Sequence, residues 1–170
     1  MASNCQFCGT SESIKIFDLK GNEIKIINDS NDNTIFIDSY YDKKKSKNYI
    51  ITGNSGYIKS YDYINNKIYH IYKDKKDDDN SHDSLIISDK EEIIKIIDSC
   101  EDGNIRIWNF HSGDLINKIK IIKCDLHGIC LWNNDYLFVG CDPKNNEKKK
   151  IKLIDLKTNT IIYLVIMKEY

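Results

Sequence analysis

Cys5-Gln6-Phe7-Cys8 is a closely spaced pair of thiols. Such a pair can hold half of a tetrahedral zinc site or cycle as a disulfide. Zinc needs two further ligands at suitable spacing, and His82 and His127 lie far off in the chain. Cys8 also sits at the same place in a repeat as Cys100, just before a turn. No metal and no redox role is expected. The four histidines, His70, His82, His111 and His127, form no pair spaced for acid–base work. No nucleophile elbow, phosphate-binding loop or dinucleotide fingerprint occurs, so no catalytic residue and no cofactor is expected. The acidic run from Asp74 to Asp83 lacks the alternating ligands, central glycine and closing glutamate of a calcium loop, and reads as a solvated connection. The lysine runs Lys43-Lys44-Lys45 and Lys148-Lys149-Lys150 could face nucleic acid or an acidic partner. Each is offset by nearby carboxylates, and both read as polar loops.

The whole-chain balance agrees. Of 170 residues, 30% are charged, yet the formal net charge is only -1, which argues against a strong nucleic-acid or membrane field. With 41% hydrophobic residues there is enough apolar material for a core. Met1 to Gly9 has neither a basic start nor an apolar run, and Ile161 to Met167 is too short to span a bilayer. Cytosol or nucleus is the expected compartment, with no membrane partner. Reduced cysteines set among apolar residues fit that setting.

Whatever chemistry the chain performs must be positioned by its repeat. Four segments share one pattern: Ile14-Lys15-Ile16-Phe17-Asp18, Ile58-Lys59-Ser60-Tyr61-Asp62, Ile105-Arg106-Ile107-Trp108-Asn109 and Ile151-Lys152-Leu153-Ile154-Asp155. The closing polar residue falls at 18, 62, 109 and 155, a period of about 44–47 residues. Apolar and polar residues alternate within each unit, which is strand periodicity. Isoleucine suits a pleated, half-buried surface. Ser55-Gly56 and Asp102-Gly103, each between two apolar runs, are hairpin signals. A further strand follows each unit. The repeat closes on the pairs Phe17 and Asp18, Tyr61 and Asp62, Trp108 and Asn109, and Ile154 and Asp155. No segment carries a 3.6-residue apolar period over ten positions, so little or no helix is expected.

The third repeat is the most legible. Ser81-His82, followed by Asp102-Gly103-Asn104-Ile105-Arg106-Ile107-Trp108-Asn109, resembles the WD-repeat family. That family has a Gly-His pair early in the repeat, an aspartate in the tight turn and a Trp-Asp pair closing the third strand. The resemblance implies an all-β fold of propeller blades, each of four antiparallel strands. Three complete blades (33–72, 84–121 and 127–166) would follow a partial one (5–27). It also implies a hydrogen-bonded tetrad of His82, Ser99, Trp108 and Asp102, with Asp98 the alternative to Ser99. Ser81 stands where glycine is usual, and Asn109 where aspartate is usual. Tyr61, Phe17 and Ile154 replace the tryptophan elsewhere, so those repeats keep the strands without a full tetrad.

Propellers close with four to eight blades. Four repeats imply an arc that is a fragment, or one completed by a second chain or by further blades. The function implied is a non-catalytic scaffold binding other proteins or peptides. Its candidate loops are Asn28–Asn33, Asp74–Asp83, Ser99–Gly103 and Ile122–Asp125. The alternative is a structural segment of a larger assembly, such as a ubiquitin-ligase adaptor or an RNA-processing or trafficking subunit. A hydrolase with a metal in the central channel would need acidic residues or histidines on the innermost strands. The candidates for those strands, Thr34–Asp38, Ser84–Ser88 and Gly128–Trp132, are mostly apolar.

Overall fold

A computed structural model describes residues 5–9, 13–28, 34–54, 56–74, 81–88, 93–121, 124–133, 135–143 and 150–166. All the regular elements among them are strands. Among the described residues no helix is long and apolar enough to cross a membrane.

The strands form four antiparallel sheets, each built from consecutive segments of chain. The first sheet has three strands, β1 (Cys5–Gly9), β2 (Ser13–Asp18) and β3 (Glu23–Asn28). The second has β4 (Phe36–Asp42), β5 (Lys47–Asn54), β6 (Tyr57–Asp62) and β7 (Lys67–Tyr72). The third has β8 (Ser81–Ser88), β9 (Ile94–Cys100), β10 (Asn104–Asn109) and β11 (Leu115–Lys120). The fourth has β12 (Cys124–Trp132), β13 (Tyr136–Pro143), β14 (Lys150–Asp155) and β15 (Thr160–Ile166). Strands β8 and β12 begin at Ser81 and Cys124, ahead of the positions 84 and 127 drawn from the sequence. Each is bulged near its start, at Ser81/Asp83 and Leu126/Ile129, and a bulge breaks the two-residue alternation by which a strand is read.

The repeated five-residue unit is the third strand of a full sheet: β6, β10, β14 and, in the first sheet, β2. All four carry a register shift at the same place, just before the closing pair: Ile16/Phe17, Ser60/Tyr61, Ile107/Trp108 and Leu153/Ile154. The closing polar side chain then caps the turn into the last strand. Asp62 Oδ1 accepts the N–H groups of Ile64 and Asn65. Asn109 Oδ1 accepts those of His111 and Ser112, and Asp155 Oδ1 those of Lys157 and Thr158. Asp18 does the same for Lys20 and Asn22. Asparagine serves as well as aspartate because the turn needs only an acceptor oxygen. The left-handed residue that ends three of these turns is Asn66, Gly113 or Asn159, with φ of 54°, 78° and 58°. These are the residue types that tolerate that conformation.

The core lies between the sheets. Ile14, Ile16 and Ile27 of the first sheet meet Ile50 and Tyr61 of the second. Tyr49, Ile51, Ile58 and Tyr72 of the second meet Ile96, Trp108 and Phe110 of the third. Ile97, Ile105 and Ile107 of the third meet Leu126, Val139 and Ile154 of the fourth. Within the second and third sheets, therefore, alternate residues face the preceding and the following sheet. The first strands β4 and β8 touch, as do β8 and β12. The outermost strands expose Ile24, Ile68, Ile71, Ile116 and Ile162.

Candidate recognition surface

Trp108 is buried on the face of the third sheet that packs against the second. Its Nε1–H donates to Asp98 Oδ2 at 2.9 Å. Between the two alternatives the sequence left open, the acceptor is Asp98. Ser99, on the opposite face of β9, donates its hydroxyl to the carbonyl of His127 in the fourth sheet at 2.7 Å. Asp102 occupies the β9–β10 turn. One of its oxygens accepts the N–H of Asn104 at 2.9 Å, and the other pairs with Arg106 at 2.9 Å. The side chain of His82 lies outside the described residues. The described members of the expected tetrad thus go to separate partners, because neighbouring residues of a strand point to opposite faces.

Arg106 completes the buried polar group. Its guanidinium is 4.0 Å from Asp98 and closes on Asp102. Burial pushes the Asp98 carboxyl up to about 6, with Arg106 and the Trp108 N–H pulling the other way. Burial likewise lifts the Cys100 thiol to about 11, so Cys100 is a protonated core residue rather than a nucleophile. The position of Arg106 is basic in all four units: Lys15, Lys59, Arg106 and Lys152. Lys152 reaches the carbonyl of Ile121 in the third sheet at 3.2 Å.

A second cluster joins the second and third sheets at their other end. Phe110, fully buried, projects from the β10–β11 turn into rings of the second sheet. Tyr40 and Tyr49 meet it edge-on at 5.1 and 5.0 Å, and Tyr69 lies at 5.7 Å. The Tyr72 hydroxyl donates to the Phe110 carbonyl at 2.7 Å. Beside it, His111 Nε2 stands 3.5 Å from the buried Asp42 carboxylate. Lys45 Nζ and the Tyr69 hydroxyl each lie 3.2 Å from His111 Nδ1. Burial, reinforced by Lys45, holds the His111 imidazole below its usual range.

A groove of about 550 Å³ opens over this cluster, lined by Tyr40, Tyr41, Ile94, His111 and the lysine run of the β4–β5 turn. Its walls are apolar and aromatic and its rim is cationic. It opens on the β4–β5 and β10–β11 turns, at the opposite end of the sheets from the Ser99–Gly103 turn chosen from the sequence. Of those loops, Ser99–Gly103 is described, whereas 29–33, 75–80 and 122–123 lie outside the described residues. Among the described residues no cluster of three metal-ligating side chains occurs. Cys5 and Cys8 fall on β1, whose side chains lie outside the described set.

Sequence reasoning passed over Phe110, although a signal was present. The residue after the closing polar position is Leu19, Tyr63, Phe110 or Leu156, apolar or aromatic every time. Tyr63, Phe110 and Leu156 each pack into the core shared with the preceding sheet.

This arrangement of one three-stranded and three four-stranded sheets, packed face to face in chain order, superposes on a solved structure. The crystal structure of the WD40 β-propeller domain of Doa1 matches over 98% of this chain with a TM-score of 0.74, at 14% sequence identity. The fold is that of β-propeller blades. The four blades span about half, 52%, of that domain's chain. No protein-family model matches the sequence, and no curated protein matches it. Within each full blade the strand order runs without crossover, and the last strand of the blade is its exposed edge.

Proposed function

We propose that the chain is a non-catalytic protein-interaction scaffold, working in the cytosol or nucleus, whose blades hold rigid turns for a protein or peptide partner. The observation that carries this reading is the propeller fold itself, together with a preformed groove between the second and third blades. Propeller blades hold their turns on packed sheets, so a partner pays little ordering cost on binding. The groove has the composition of a recognition surface, with aromatic and aliphatic walls and a charged rim. The reading by fold is one of analogy. The test is affinity capture with wild type and with a Lys43→Glu/Lys45→Glu variant. The same partner should be lost from the variant at an unchanged melting temperature. Retention of every partner in this variant, and in others altered at the Ser99–Gly103 turn, would sink the reading.

A second reading is a structural segment of a larger assembly. It is favoured by the 52% coverage of the Doa1 domain. On that reading the blades chiefly dock other subunits, and disrupting them would dissociate the assembly without touching a discrete ligand.

A further inference from the structure

We infer that the groove between the second and third blades takes an acidic peptide segment that carries one aliphatic or aromatic side chain among its carboxylates. The inference rests on the scaffold reading and adds to it the chemistry of the partner and the place where it docks. The groove lies between two blades that are each packed on both faces within this chain, so its shape is set by contacts the chain itself supplies.

The floor is apolar and preformed. Tyr40 and Ile94 line it and pack against the buried cluster of Tyr49, Trp108 and Phe110. Tyr40 is held edge-on to Phe110 at 5.1 Å and stacked on Tyr49 at 6.4 Å. Tyr41, next along β4, is 46% exposed and adds a large aromatic ring to the lining. A volume of about 550 Å³ is that of a small-ligand pocket, so it takes a few side chains of a segment rather than a folded domain.

The charges of the groove are segregated. Lys43, Lys44 and Lys45, in the β4–β5 turn, are all exposed. The one carboxylate among the described lining residues, Asp42, is turned inward and only 3% exposed. Its Oδ1 accepts the N–H groups of Lys44 and Lys45 at 2.9 and 3.1 Å, and its Oδ2 lies 3.5 Å from His111 Nε2. A lysine can only donate, so the 3.2 Å contact of Lys45 Nζ makes His111 Nδ1 an acceptor and puts the ring proton on Nε2, towards Asp42. The acidic group is thus engaged inside the fold, and the three cations stand on the rim.

A complementary partner brings anions to that rim and an apolar side chain to the floor. Three cations in one turn are a point of positive charge, not the extended track that a phosphate backbone follows. The formal net charge of -1 supplies no wider field for nucleic acid. An acidic peptide with an apolar anchor meets both halves of the groove.

The test is selection of random short peptides displayed on phage against the whole chain, followed by fluorescence anisotropy with the enriched peptides. Enriched sequences should cluster Asp or Glu beside an aromatic or aliphatic residue. Lys43→Glu/Lys45→Glu and Tyr41→Ser should each weaken their binding by about tenfold or more at an unchanged melting temperature. Lys43→Glu alone leaves the contact of Lys45 with His111 in place, and gives the same reading if the double variant melts early. No enrichment, enrichment of peptides without acidic residues, or affinities indifferent to all three variants overturns the inference. So does a single-stranded oligonucleotide that binds through the same lysines more tightly than any enriched peptide. Those outcomes leave the scaffold reading intact where capture of a protein partner depends on the Ser99–Gly103 turn instead, so the two can fail separately.

Discussion

The indole N–H of Trp108 and the carboxylate of Asp98 face each other at 2.9 Å on adjacent strands, inside the contact between the second and third blades. Trp108→Ala should cost about 3–5 kcal/mol, the range for a buried aromatic truncated to alanine. Trp108→Phe keeps most of the ring but leaves a buried oxygen without its donor, for about 1–3 kcal/mol. Urea melts of the two variants separate packing from the hydrogen bond. A Trp108→Phe variant as stable as wild type would mean that the N–H contributes nothing.

The same carboxylate makes stability depend on pH. Burial puts Asp98 at about 6 in the folded chain, above its unfolded value of about 3.9. The folded state therefore takes up the proton first as pH falls. Its contribution is fully present below the unfolded value and is lost as pH rises through about 6. Relative to Asp98→Asn, wild type should gain stability between pH 7 and pH 4. Parallel stability curves for the two proteins would refute the assignment.

Phe110→Ala should cost about 3–5 kcal/mol, whereas Phe110→Leu should cost about 1 kcal/mol, since a leucine fills the same position at Leu156. Denaturant midpoints for the pair give the comparison. A silent Phe110→Ala would show that the tyrosine cluster closes without it.

Asp62 is held down to about 2: burial resists, but the Asn65 and Lys47 donors outweigh it. Its contribution is present above about 3.9 and lost as pH falls through about 2. Asp62→Asn keeps the acceptor that Asn109 supplies in the next blade but gives up the charge paired with Lys47, so at pH 7 it should cost less than Asp62→Ala without being silent. Asp62→Ala frees two turn N–H groups and should cost about 1–2 kcal/mol. Below pH 4 the asparagine variant should lose stability less steeply than wild type, as followed by acid titration of the folded signal.

Gly53 lies opposite Phe36, and a Cβ there would fall 1.7 Å from the ring. Gly53→Ala should cost about 1–3 kcal/mol through overpacking. Phe36→Leu in the same chain should recover part of that loss, because the two sites are coupled. Strict additivity in a double-mutant cycle would argue that the ring moves aside freely.

Strands, turns and period were legible because the five-residue unit alternates cleanly and ends on an acceptor. Arg106 and Asp98 were harder to place. A charged residue in an alternating strand reads as solvent-facing, and only the packing of a second sheet over it turns that face inward. The acceptor for Trp108 could not be fixed from the sequence for a related reason. Asp98 and Ser99 are neighbours on opposite faces, and which of them shares a face with Trp108 depends on the β9–β10 register, in which Trp108 lies opposite Ile96 and Arg106 opposite Asp98. The groove was missed because its walls come from Tyr40 and His111, far apart in sequence and brought together where the second and third blades pack around Phe110.

That the apolar clusters lie between blades, never inside one, shapes how the molecule comes apart. A solitary blade has no interior of its own, so stability is a sum over contacts between neighbours. The second and third blades are each packed on both faces within this chain, so their amide hydrogens should be strongly protected from exchange. Opening should pass from one blade to its neighbour, one contact at a time, like a zip rather than a melting droplet.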